Sequence, residues 1–97
     1  MEPISSLSTV YVQSFVKGAM GSETAHIAFT KPDLEPVTAD WKPAVWGAPT
    51  DKGCPARILI GPGAGAVVLV DGTYAMWVRV TGPVQIPVLR AGLVSII

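Results

Sequence analysis

The chain has 97 residues, seven acidic and seven basic side chains, a net charge of zero, and a composition that is 49% hydrophobic but only 14% charged. That length accommodates one domain with one core. The basic residues Lys17, Lys31, Lys42, Lys52, Arg57, Arg79 and Arg90 are scattered, so no patch forms to neutralise phosphates and direct nucleic-acid binding is not expected. The single cysteine, Cys54, excludes an internal disulfide or a cysteine-based zinc site. Pro, Gly, Asp and Arg interrupt every apolar run before it reaches the roughly 18 residues of a membrane span, and no basic-then-apolar leader opens the chain. Neither a membrane nor a secretory address is expected. Charge so far below the usual quarter points to a surface partly covered by a partner.

Residues 1–8 are serine-rich with Pro3 and no period, and read as an N-terminal arm that orders against something else; residues 9–97 read as a single domain. Over 9–17, Val10, Val12 and Val16 alternate with Tyr11, Gln13 and Phe15, the period of a strand with one face in a core. A break at 18–22 follows. A second strand over 23–30 sets Ala25, Ile27 and Phe29 against Thr24, His26, Ala28 and Thr30. Pro32 and Pro36 make 31–38 a rigid exposed loop, and Trp41 and Trp46 flank Pro43 in an edge strand over 40–47. Residues 48–55 read as a loop holding Asp51, Gly53 and Cys54. Short strands are expected at 56–60 and 66–70, separated by a glycine-rich turn at 61–65. The apolar run Val67 to Val70 then enters a tight Asp71-Gly72 turn and a strand over 73–81, which reads as a paired hairpin. A turn at 82–87 leads to a last, interrupted strand over 88–90 and 93–97, whose apolar end should be zipped into a sheet. About seven short antiparallel strands with turn signals every 8 to 12 residues and no helical period make an all-β sandwich.

No catalytic constellation emerges. Gly61-Pro62-Gly63-Ala64-Gly65 lacks the Lys-Ser/Thr pair of a phosphate-cradling loop, and Pro62 removes a backbone donor, so it reads as a turn. His26 has no second histidine or cysteine at ligand spacing, and nothing places it beside Cys54 as a nucleophile and base. The expectation is a protein without cofactor, metal or enzymatic activity. Tyr74, at the start of its strand, is placed as a tyrosine corner whose hydroxyl returns to the backbone near Leu69 or Asp71. Tyr74, Met76, Val78 and Val80 share one face of that strand, and Trp77 and Arg79 the other. Two readings of the second face stand: a partner interface, or Trp77 covered by a loop of its own chain with Arg79 stacked on it. Trp41 and Trp46 divide similarly, one towards the core and one towards an interface. Trp46, Trp77, Arg79 and Trp41 are the expected partner-binding residues.

Two segments, Ala56-Arg57-Ile58-Leu59-Ile60-Gly61-Pro62-Gly63 and Asp71 to Val80, followed by Pro87-Val88-Leu89-Arg90-Ala91-Gly92-Leu93, resemble a family of small proteins encoded among the virion structural genes of tailed phages of actinobacteria. The shared pattern is a Gly-Pro-Gly turn, a Gly-Thr-Tyr strand with a Trp-Val-Lys/Arg-Val core, and a late Pro-Val-Leu segment, and it covers the last half of the chain. The wider similarity is to bacterial and phage immunoglobulin-like modules, although Met76 stands where immunoglobulin domains proper carry a cysteine two residues after the corner tyrosine. The resemblance implies an immunoglobulin-like β-sandwich and a virion component assembled in the host cytoplasm. Its partners would be the major capsid protein or neck proteins, with possible self-association. A capsid-binding decoration or minor capsid protein is the first expectation, a head-to-tail connector or tail ring component the second, and a carbohydrate- or host-binding module the third.

Overall fold

The structure, a computed structural model, describes residues 3–17, 23–63, 65–82 and 85–97. Seven strands follow in order: β1 Val10–Val16, β2 Thr24–Thr30, β3 Lys42–Pro43, β4 Val45–Trp46, β5 Cys54–Ile60, β6 Gly72–Thr81 and β7 Val88–Ile96, with one 3-10 turn at Thr38–Asp40. They form two antiparallel sheets, β1-β5-β4 and β3-β2-β6-β7, so the fold is all-β and two-layered.

Side-chain alternation dictates the layering. β1 turns Val12 and Val16 inward, β2 Ala25 and Ile27, β5 Cys54, Ala56, Ile58 and Ile60, β6 Met76, Val78 and Val80, and β7 Val94 and Ile96. These small and branched side chains are buried and interdigitate between the sheets as one aliphatic core. Phe29 and Tyr74 pack against its margin. The Tyr74 hydroxyl donates to the carbonyl of Val70 at 2.7 Å, between Leu69 and Asp71, and holds the connection from β5 to β6 against the start of β6. Asp71 itself is exposed.

Several sequence expectations are corrected. Residues 66–70 do not form a strand, and 67–70 do not pair with β6 as a hairpin: β6 lies between β2 and β7. Val67 makes a single bridge to Ile60, donating its N–H to Leu59 and accepting from Gly61, and the chain then crosses to the other sheet. Val68 and Val70 are left 70% and 74% exposed, so the apolar run marks a crossover rather than a buried strand. The expected edge strand over 40–47 is divided between the sheets. β3 pairs with β2, β4 pairs with β5, and Ala44 makes the change of layer while donating its N–H to Ala25. Such switching is one way a strand turns the corner of a sandwich. Cys54 lies in no loop; it begins β5 and is 1% exposed in the core. The interruption expected in the last strand is a β-bulge, where Met76 faces Gly92 and Trp77 faces Arg90, leaving Ala91 as the extra residue.

Residues 4–6 of the N-terminal arm lie along the end of β7. Ile4 bridges Ile96 in parallel, its N–H donating to Ser95 and its carbonyl accepting from Ile97, while the Ser6 N–H donates to Ile97. The C-terminal end of β7 is thereby zipped in. The expected break at 18–22, residue 64 of the glycine-rich turn, Pro83 in the 82–87 turn, and residues 1 and 2 of the arm lie outside the described residues.

Candidate functional site

The outer face of the four-stranded sheet gathers three of the four residues expected at an interface. Register sets His26 opposite Arg79, Ala28 opposite Trp77 and Thr30 opposite Ala75. Ala28 and Ala75 point away from the core yet are 0% exposed, so something covers them. The cover is the chain's own 31–41 connection. The Thr30 hydroxyl accepts the indole N–H of Trp77 at 3.1 Å and donates to the Leu34 carbonyl at 2.8 Å, and Arg90 donates to the Pro32 carbonyl at 3.2 Å. The connection closes with the 3-10 turn, where the Asp40 carboxylate accepts the Val37 N–H at 2.9 Å, and delivers Trp41 over the Arg79 guanidinium, 4.8 Å from the ring centroid. Of the two readings of this face, the intramolecular one describes Trp77, but Arg79 stacks on Trp41 rather than on Trp77.

Trp46 is not in this cluster. It lies on β4 in the other sheet, packs against the core, and donates its indole N–H to the Glu23 carbonyl at 2.6 Å. Trp41, Trp46, Trp77 and Arg79 are therefore all half-buried, and each has a specific partner within the chain. Among the described residues no group of three or more His, Cys, Asp or Glu side chains could hold a metal ion, and Cys54 faces the core while His26 faces outward on the opposite sheet.

His26 carries the one perturbed titration in the cluster. Removal from water, and secondarily the positive charge of Arg79, hold its imidazole below its ordinary pKa of 6.5. Its Nδ1 and the Arg79 Nε are both buried without a hydrogen-bond partner. A depressed pKa in the folded state means that the unfolded chain takes up the proton first as pH falls. The His26 contribution is thus complete above pH 6.5 and is lost as pH drops from there towards the lower folded value. Thermal unfolding of the parent and of His26→Gln between pH 7.5 and 5 should show a steeper loss of stability for the parent; parallel curves would exclude a titrating His26.

Apolar surface unclaimed by the fold lies elsewhere, at positions that the sequence did not single out. β7 is the edge of its sheet, and the arm pairs only with its last residues. Ahead of those residues it carries Val88, Leu89 and Leu93, 47%, 48% and 48% exposed, with Ile86 at 57% just before the strand. Val88 lies opposite Arg79 and Leu93 opposite Ala75, on the outer face, whereas Leu89 is opposite Val78 and on the core side. The only sequence signal for this edge was the Pro87-Val88-Leu89 run within an apolar C-terminal segment. On the three-stranded sheet, Tyr11, Phe15 and Val45 are exposed on the outer face, and Arg57 stacks on Tyr11 at 4.4 Å.

Set against protein-family models, curated proteins and solved structures, the chain matches none.

Proposed function

We propose that the protein is a non-enzymatic structural module of a tailed-phage virion, a decoration protein that reinforces the capsid by docking on the major capsid protein. The observation that carries this reading is the apolar edge of β7, with Val88 and Leu93 half-exposed on its outer face, Leu89 on the other face and Ile86 just before the strand. An open edge offers backbone donors and acceptors to a strand of another chain, and natural proteins normally blunt such edges with charge or cover them. Here Arg90 is the sole charged side chain on β7, and it is turned back to the Pro32 carbonyl. The resemblance of 56–63, 71–80 and 87–93 to actinobacterial phage virion proteins supports the same reading. So does the strand order: β1-β5-β4 facing β3-β2-β6-β7, with a corner tyrosine opening the penultimate strand, follows the arrangement of immunoglobulin-like modules.

Burial of apolar area at about 25 cal/mol per Å², less the cost of ordering, stabilises a shell through many equivalent copies without chemistry. The test is electron cryo-microscopy of capsids from an actinobacterial tailed phage that lack the protein, mixed with the purified chain. Regular density over the shell is expected. Val88→Lys/Leu93→Lys, which changes only exposed side chains and should keep its stability within about 0.5 kcal/mol per site, is expected to lower occupancy at least about tenfold, the equivalent of roughly 1.4 kcal/mol. Full occupancy of that variant would remove the β7 edge as the docking surface. Density confined to one vertex would favour the connector reading, in which the same edge joins copies into a closed ring. A sugar platform has less support, because Trp46 and Trp77 spend their N–H groups inside the chain and Trp41 is stacked on Arg79.

A further inference from the structure

A second, chemically distinct surface arises where the chain changes sheets. β4 accompanies β5 only at Val45 opposite Arg57 and Trp46 opposite Ala56, because Ala44 carries the preceding chain over to β2. The next segment beside β5 is Val67, which meets it at Leu59 and Ile60. Between these two contacts lies a groove of about 430 Å³, open along its length. Val45 and Lys42 stand at one end, Val67 at the other, and Leu59, Arg57 and Tyr11 along it.

The lining has a definite chemistry. Among the described residues two cations, Lys42 and Arg57, face it and no Asp or Glu does, in a chain whose acids and bases are equal in number. The guanidinium of Arg57 rests on the Tyr11 ring, which occupies one of its faces and leaves the planar edge of N–H donors for an anion. The remaining walls are aliphatic and aromatic. A small-molecule site encloses most of its ligand; this groove is open to solvent and follows β5 from Arg57 to Leu59, which suits an extended chain.

We infer that the groove binds an extended acidic and apolar peptide segment of a partner protein, with a carboxylate paired to Arg57 and Lys42 and an apolar side chain on Leu59 and Val67. In an extended chain, residues i and i+2 project to the same side about 6.6 Å apart, so the recognised pattern is an acid and an aliphatic or aromatic residue two positions apart. This site lies where β5 meets β3, at the edge of the four-stranded sheet opposite to β7, and does not depend on the capsid reading.

A random heptapeptide display library panned on the purified protein tests it. Enriched sequences should carry Asp or Glu with an apolar residue two positions away, and a synthetic peptide of the enriched sequence should shift the amide resonances of residues 57–59 and 65–67. Its affinity should fall at least about tenfold in Lys42→Gln/Arg57→Gln, which removes both charge-assisted contacts to the carboxylate. Leu59→Glu, which puts a like charge into the groove and leaves both cations in place, should abolish binding even if the double variant is poorly folded. Enrichment without acids, binding unaffected by Leu59→Glu, or no enrichment at all would overturn the proposal. So would binding of 2-naphthoate in the groove by a protein that selects no peptide, since that result assigns the site to small organic anions.

Discussion

Replacing Gly61 by alanine is expected to destabilise the protein by about 2–6 kcal/mol, from a total that for a domain of this size is about 5–15 kcal/mol. Gly61 ends β5 with φ at +121°, a region that side chains rarely enter, which alone costs on the order of 1–3 kcal/mol. A Cβ there would also overlap the carbonyl oxygen of Ser8 and stand 2.8 Å from the Cα of Thr9, both backbone atoms that cannot rotate away. Relief requires the arm and the start of β1 to move, which adds about 1–3 kcal/mol of the kind that overpacking imposes. The arm holds the last residues of β7, so the variant should also lose protection of the Ile4, Ser6 and Ile97 amide protons in hydrogen exchange. Gly65→Ala is the control: its φ is +79° but nothing lies within 4 Å of the added carbon, so only about 1–2 kcal/mol is expected. Equal midpoints for the two variants in urea unfolding would show that Ser8 does not approach Gly61 as closely as the structure places it.

The elements that could be read in advance are those in which local pattern and tertiary placement agree. β1, β2 and β6 alternate because each has one face in the core, and the Ala91-Gly92 interruption of the last strand is the bulge itself. The misreading of 66–70 has a physical origin. Its apolar residues do not line a core; they ride over a crossover pinned by Val67 at one end and by Tyr74 and Val70 at the other, and periodicity cannot distinguish such a run from a buried strand. The division of 40–47 between two sheets rests on pairing with β2 up to Ala44 and with β5 from Val45 onward, contacts that are non-local and leave no local signature. The sites follow the same rule. Trp41, Trp77 and Arg79 were identifiable as residues with interaction capacity, but whether a partner or the 31–41 connection satisfies them depends on contacts such as Trp77 to Thr30, 47 positions apart. The groove beside β5 was invisible because it is a gap left by sheet switching, lined by residues that are unremarkable one at a time.

Ile27→Ala is the second large effect, expected at about 4 kcal/mol, which for a domain of this length lowers the melting temperature by roughly 15–30 °C. Ile27 is 0% exposed and is flanked on both sides, by Lys42 of β3 and Val78 of β6, in a core built from Val, Ile, Ala and Met side chains without a fully buried aromatic ring. Such a core interdigitates small parts, and the neighbours Ala25 and Ala56 are too short to fill the space that the lost side chain vacates. Neither a disulfide nor, among the described residues, a metal cluster compensates. Ile27→Val, which removes one methylene, should cost about 0.5–1.5 kcal/mol, and Val45→Ala, at 54% exposure, no more than about 0.5 kcal/mol. Because β2 presents His26, Ala28 and Thr30 on its other face, loosening at Ile27 should propagate to the Trp41–Arg79 stack. The tryptophan fluorescence of the variant should therefore shift to the red at temperatures below its global unfolding. An unshifted spectrum up to the unfolding transition would mean that the two faces of β2 are mechanically independent.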